Sequence, residues 1–162
     1  SQTYLIYMIK ILLAFLFITS STFAASTGYD NDNSSTSELD QVTKLYNKAY
    51  ELVYDKKFDK SIKLLEKIVQ RKDLGEKKAD VFNLLGFSYR KHNEPDLDKA
   101  FKAYSIAIEA NPEHLGAHEY LGELYISLGD MDKANQMLLK LEQIAGKNTM
   151  EYLKLKKAID NS

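Results

Sequence analysis

The 162-residue chain has no cysteine and no tryptophan, and only two prolines and seven glycines. Without cysteine there are no disulfides, thiolate metal sites, cysteine nucleophile or lipid-modified N-terminal cysteine. So few prolines and glycines cannot furnish the many tight turns of a β-sandwich, which leaves helices as the default. Neither sign of charge is in excess: 22 Lys and Arg stand against 23 Asp and Glu, for a net charge of −1. That balance gives no broad electrostatic reason to bind nucleic acid or an anionic membrane. The length suits one domain.

Patterns that carry catalysis are also missing. There is no Gly-rich phosphate loop, no nucleophile elbow and no His-Glu-x-x-His sequence. Glu119 and Glu123 share a helix face, so they are neighbours and not carboxylates opposed across a cleft. Lysine runs such as Lys56-Lys57 and Lys154 to Lys157 read as solvated faces. No catalytic residue and no cofactor is expected.

Residues 1–24 contain one base, Lys10, and no acid. The unbroken apolar run Ile11 to Ile18 is followed by Thr19-Ser20-Ser21-Thr22-Phe23-Ala24, with small residues Thr22 and Ala24 at signal-peptidase spacing. This is the pattern of a secretory signal, and Met8 would leave the compact start Met8-Ile9-Lys10. The rival reading is an uncleaved anchor in the inner membrane. Tyr4 to Ile18 is short of the roughly 20 apolar residues that span a bilayer. A cysteine-free exported chain fits a bacterial periplasm, or secretion beyond it, with no membrane attachment after cleavage. Residues 25–37, rich in Ser, Thr, Asn and Asp, read as a disordered polar spacer.

From residue 38 to 160 the pattern is helical, with Ser37 as the expected N-cap. The chain also repeats itself. Leu85-Gly86-Phe87-Ser88-Tyr89 matches Leu121-Gly122-Glu123-Leu124-Tyr125, 36 residues on. Ala100 matches Ala134 at 34, which places two extra residues in the polar stretch His92 to Asp96. Tyr104 then aligns with Leu138, and Ala107 with Leu141. A weaker first copy has Ala49 where the others have glycine, and Ser61 where they have alanine. Glycine inside a helix costs about 1 kcal/mol relative to alanine. Its recurrence at Gly86 and Gly122 predicts a second helix crossing almost backbone to backbone, with Ala100 and Ala134 small on the partner.

These residues resemble the tetratricopeptide repeat family. The second copy supplies Phe82, Leu85, Gly86, Tyr89, Ala100, Tyr104, Ala107 and Pro112. The third supplies His118, Leu121, Gly122, Tyr125, Gly129 and Ala134. The run His114 to Tyr125 is similar to small periplasmic members of the family in Gram-negative bacteria. The resemblance implies an all-α, right-handed α-solenoid of about three helical hairpins, with repeats near 42–75, 79–112 and 115–148 and a capping helix at 149–159. Helices are expected at 38–55, 58–71, 76–91, 97–110, 113–128 and 131–145. Pro112 should open the fifth of these, and Gly129-Asp130 should end it and cap the sixth. The last helix carries lysines on its outer side and reads as a solubilising cap.

The resemblance also places a concave surface on the first helix of each hairpin. It would present Tyr46, Tyr50 and Tyr54, then Asn83, Phe87 and Arg90, then Glu119, Tyr120 and Glu123. Tyr46, Tyr50 and Tyr54 are spaced i, i+4, i+8 and form one stripe. Such a face suits a peptide or helical segment of another protein, with Asn83 and Arg90 fixing its register. The competing reading has the tyrosines packing internally. Tyr46 and Tyr50 stand where some members hold a carboxylate with Lys and Asn, so no such clamp is expected. His114 and His118 have a zinc-like i, i+4 spacing, but His118 takes a packing position of the repeat and no metal site is expected. His92 falls in a turn and reads as solvated. The inferred function is that of an exported, non-enzymatic adaptor. A homo-oligomeric structural module is the alternative.

Overall fold

The computed structural model describes residues 33–162, with side chains from residue 38 onward. The expected leader at 1–24 and the spacer up to residue 32 lie outside the described residues. Among the described residues there are seven α-helices and no strand: α1 Asn33–Tyr54, α2 Phe58–Ile68, α3 Lys78–Lys91, α4 Leu97–Ala110, α5 Leu115–Ser127, α6 Met131–Ala145 and α7 Met150–Asp160. A short 3₁₀ turn, Gly75–Lys77, leads into α3. Helix α1 starts at Asn33 and not near 38, so Ser37 lies inside it and is not its cap.

The later helices start where a side chain can accept a backbone N–H three residues on. Asp96, His114, Asp130 and Thr149 do so for α4, α5, α6 and α7. Pro112 therefore precedes α5 and lies in the turn before its cap, where its carbonyl accepts a hydrogen bond from His118 Nε2 at 2.8 Å. Gly129 has a φ of 75° and ends α5 as expected. Pro112 and Gly129 are exposed turn residues and do not pack in the repeat core.

Hairpins α1/α2, α3/α4 and α5/α6 stack in order, and α7 closes the far end against α5 and α6. The main core runs through all three hairpins, from Val42 and Ala49 through Leu65, Leu85 and Tyr104 to Leu121 and Leu124. A second cluster of Leu141, Tyr152 and Leu155 sits under α7, with Met137 touching both. Ala100, Ala107, Ala134 and His118 are buried as the repeat pattern requires, while Phe82 and Tyr125 are half-buried. In the first hairpin, where Ala49 and Ser61 replace glycine and alanine, Ser61 Oγ lies 3.4 Å from the Ala49 carbonyl and 3.2 Å from Ser88 Oγ. The hydroxyl is thus satisfied at the seam between hairpins one and two.

The expected close crossings exist, but backbones do not fill them. A Cβ on Gly86 would lie 2.7 Å from the Tyr104 ring of α4. A Cβ on Gly122 would lie 2.5 Å from Leu155 Cδ2 of α7. The glycines make room for side chains, and at Gly122 that side chain comes from the terminal helix and not from the hairpin partner.

Candidate functional site

The helix period puts Tyr46, Tyr50 and Tyr54 on one face of α1. Tyr46 is half-buried, whereas Tyr50 is 56% exposed and Tyr54 83% exposed. Tyr46 and Tyr50 are in tilted contact, centroids 6.4 Å apart. Burial, and then the Asp80 carboxylate, pushes the Tyr46 phenol up to about 12, so it keeps its proton as a donor.

Across from this stripe runs a second aromatic wall. Phe58 of α2 touches Phe87 of α3 at 6.4 Å, and Phe87 touches Tyr120 of α5 at 4.9 Å. Between the two walls lies a cleft of about 500 Å³, with Val53 and Leu84 adding apolar surface and Asn83 a polar group. That volume is in the range of ordinary binding sites. Six residues of the expected groove therefore converge: Tyr46, Tyr50, Tyr54, Asn83, Phe87 and Tyr120. Asn83 Oδ1 is buried with no hydrogen-bond partner among the described residues. Its Nδ2 lies where a Cβ on Gly116 would come within 3.1 Å, so that glycine leaves space for the amide.

Arg90, Glu119 and Glu123 are elsewhere. Arg90 is nearly buried behind the second wall, its guanidinium carbon 5.7 Å from the Phe87 centroid and 5.6 Å from that of Tyr120. It donates to Glu123 Oε2 at 2.5 Å and to the Tyr104 hydroxyl at 3.3 Å. Arg90 and Glu123 thus brace α3 against α5 from within, and the arginine is not offered to a ligand as expected. Glu119 faces the opposite way, toward α7, only 3% exposed and 3.9 Å from Lys154. Burial pushes its carboxyl up to about 7 against the pull of Lys154.

The histidines are engaged in structure. His114 Nδ1 accepts from the Ala117 N–H, so Nε2 carries the proton and donates to Asp80 at 3.1 Å. That bond, assisted by Lys77, holds the Asp80 carboxyl below its usual range. His92 is not merely solvated: Nε2 meets Asp59 at 2.7 Å and ties the α3–α4 turn to α2. No group of three metal-ligating side chains forms among the described residues.

Five cleft residues were not among the expected groove residues: Val53, Lys56, Phe58, Leu84 and Lys91. Lys56 was legible only as part of a charge run. The signal for it is local: seven residues after Gly122 the third hairpin has Gly129, and seven after Ala49 the first has Lys56.

Residues 94–159 match the tetratricopeptide repeat family. Solved tetratricopeptide-like structures share the fold. The type III secretion translocator chaperone SycD of Yersinia enterocolitica, in its alternative dimer, superposes with a TM-score of 0.62 at 18% identity, covering 81% of this chain and 92% of that chain. PcrH, solved with the chaperone binding region of PopB, gives 0.61 at 18% identity, covering 74% and 92%. MamA gives 0.61 at 20% identity, covering 85% and 86%. At these identities the likeness speaks for the fold. Comparison of the sequence with curated proteins gives no match.

Proposed function

We propose that this chain is a non-enzymatic adaptor that holds a segment of another protein in the cleft between the α1 tyrosines and the Phe58–Phe87–Tyr120 wall. The observation that carries the reading is the pairing of exposed Tyr50 and Tyr54 with an apolar cleft floored by the unpartnered Asn83 carbonyl. Rigid aromatics lose little entropy on binding and dominate the energetics of interfaces. Turned into the cleft, the Asn83 oxygen would accept a backbone N–H, which favours an extended segment. The structural likeness supports the same reading by analogy. SycD has been solved with a peptide of the translocator YopD, and PcrH with the chaperone binding region of PopB. Export rests on the pattern of residues 1–24 and is tested by N-terminal sequencing of the mature protein.

Phe87 packs against Phe58, Tyr120 and the Arg90 and Lys91 side chains, so removing it would loosen the core. Tyr50 and Tyr54 are the cleaner probes. With the photo-crosslinker p-benzoylphenylalanine introduced at Tyr54 in the native host, illumination should join the chain to one partner through a single peptide. Tyr50→Ala plus Tyr54→Ala should cut recovery of that partner at least about tenfold, the size of a hot-spot loss, with an unchanged circular dichroism melt. Undiminished recovery would sink the reading.

Self-association is the second reading, and one feature favours it. The outer face of α7 carries Met150, 63% exposed, and Leu153, 50% exposed, among its lysines. An end helix of that kind offers a stacking surface and is not a purely polar cap. A monomer at every concentration in sedimentation would eliminate this reading.

A further inference from the structure

The charged groups that line the cleft are both cations. Lys56 stands just past the end of α1 and Lys91 ends α3, and no carboxylate joins them in the lining. Lys91 Nζ lies 6.0 Å from the Phe87 centroid, and Lys56 is two residues from Phe58, which touches the same ring. Both lysines therefore belong to one end of the cleft. Among the described residues neither has an acidic partner, whereas neighbouring Lys57 is paired with Asp55 at 2.9 Å.

A second observation is independent of the first. Lys56 has a φ of 58°, the only positive value at a non-glycine residue among the described residues. The Lys56 N–H bonds to the Val53 carbonyl at 2.9 Å and the Lys57 N–H to the Leu52 carbonyl at 2.7 Å. The same pair of bonds closes α5, from Gly129 to Ile126 and from Asp130 to Tyr125. This helix ending needs a left-handed residue and normally takes glycine, as the third hairpin does with Gly129. In the first hairpin a lysine holds that strained position at the cleft mouth. A cation at a helix C-terminus is favourable at several neighbouring places, so the macrodipole does not explain the choice of this one. A local rule broken beside a candidate site points to use of the side chain.

We infer that the occupant of the cleft is an apolar or aromatic segment flanked by acidic side chains, which lie at the end marked by Lys56 and Lys91. The inference rests on the cleft being the partner site and adds the partner's chemistry. Attraction would be strongest at low salt and would speed encounter as well as hold the complex.

The test uses the full chain and three fluorescein-labelled peptides with the same Leu- and Tyr-containing core, flanked at both ends by Glu, Gln or Lys pairs. Fluorescence anisotropy should show the Glu probe binding about five- to tenfold tighter than the Gln probe, the size expected for two exposed ion pairs. The Lys probe should be weakest, and the spread should shrink in about 0.5 M salt, where such pairs are screened. Lys56→Gly plus Lys91→Gln should remove the difference between Glu and Gln probes, while Lys56→Gly alone should raise the melting temperature by about 2 °C. Equal binding of Glu and Gln probes, both lost in Tyr50→Ala plus Tyr54→Ala, would overturn the acidic partner and leave the cleft standing. Binding indifferent to the tyrosine substitutions would overturn the cleft reading itself. Failure of all three probes to bind overturns the inference too.

Discussion

Gly86 and Gly122 occupy the same place in the same Leu-Gly-x-x-Tyr frame, yet different elements crowd them. Beside Gly86 stands the Tyr104 ring, fully buried, from the other helix of the same hairpin. Its hydroxyl is held by Arg90 and its face meets Tyr120 at 6.1 Å. Beside Gly122 stands Leu155, from the helix that ends the stack. The residue aligned with Tyr104 in the third hairpin is Leu138, which is smaller and only half-buried. The space that a tyrosine fills in the middle of the stack is left open at the end, and α7 supplies the missing volume. A repeat thus fixes that room must be made, while its place in the stack decides what enters it.

Gly86 is the less forgiving of the two sites. The atom that a new methyl would meet, 2.7 Å away, belongs to a rigid ring with no route to solvent. Overpacking of this kind costs about 1–3 kcal/mol or more, against a helix-propensity gain of about 1 kcal/mol. Gly86→Ala should therefore destabilise by about 2 kcal/mol in urea denaturation. Adding Tyr104→Leu, which copies the third hairpin's solution, should recover at least half of the loss. A Gly86→Ala chain as stable as the original would show that the ring is free to move.

The stack was legible in the sequence because repeats are compared with themselves. The helices α4 and α6 fall at the expected residues 97–110 and 131–145, and Asp130 caps where the Gly129-Asp130 pair predicts. Six of nine groove residues meet in one cleft, because the i, i+4 stripe on α1 and the repeat frame fix which way they point. Arg90, Glu119 and Glu123 departed because charge pairing is not periodic. Arg90 and Glu123 are 33 residues apart and find each other only once α3 and α5 are stacked. Lys56 was missed for a different, local reason: its backbone conformation is set by a helix ending, which the register with Gly129 reveals and a charge run does not.

Glu119 lies on the side of α5 that faces the end helix. Lys154 and Glu151 of α7, Glu123 of its own helix and Arg90 of α3 are the charges acting on it. Burial raises its folded-state carboxyl from 4.5 to about 7. Below pH 4.5 both folded and unfolded chains are protonated there, and Glu119 makes no difference. Between 4.5 and 7 the unfolded chain gives up the proton first, so stability falls as pH rises, and above 7 the penalty is constant. Glu119→Gln, which keeps the shape and removes the charge, should stabilise by about 1–2 kcal/mol at pH 8 once Lys154 and solvent screening are allowed for. At pH 4 the two chains should melt together. A stabilisation that does not change with pH would mean that burial of the charge is not its source.

The smallest effect should be at Gly122, although the contact there is the shorter one. A methyl on Gly122 would lie 2.5 and 2.7 Å from the two Cδ atoms of Leu155. Those atoms end a flexible side chain, and α7 itself packs only on α5 and α6 among the described residues. A terminal helix can slide outward without opening the core from Val42 to Leu124. Gly122→Ala should then cost about 0.5–1 kcal/mol, the overpacking being partly offset by helix propensity. The damage should also be local, since an end element opens at lower free energy than the middle of a stack. Amide exchange should quicken in α7 and stay slow in α3 and α4, whereas Gly86→Ala should speed exchange in α3, α4 and α5 together. If Gly122→Ala loosened the whole stack equally, the end helix would have to be an integral layer of the fold and not a cover over Gly122.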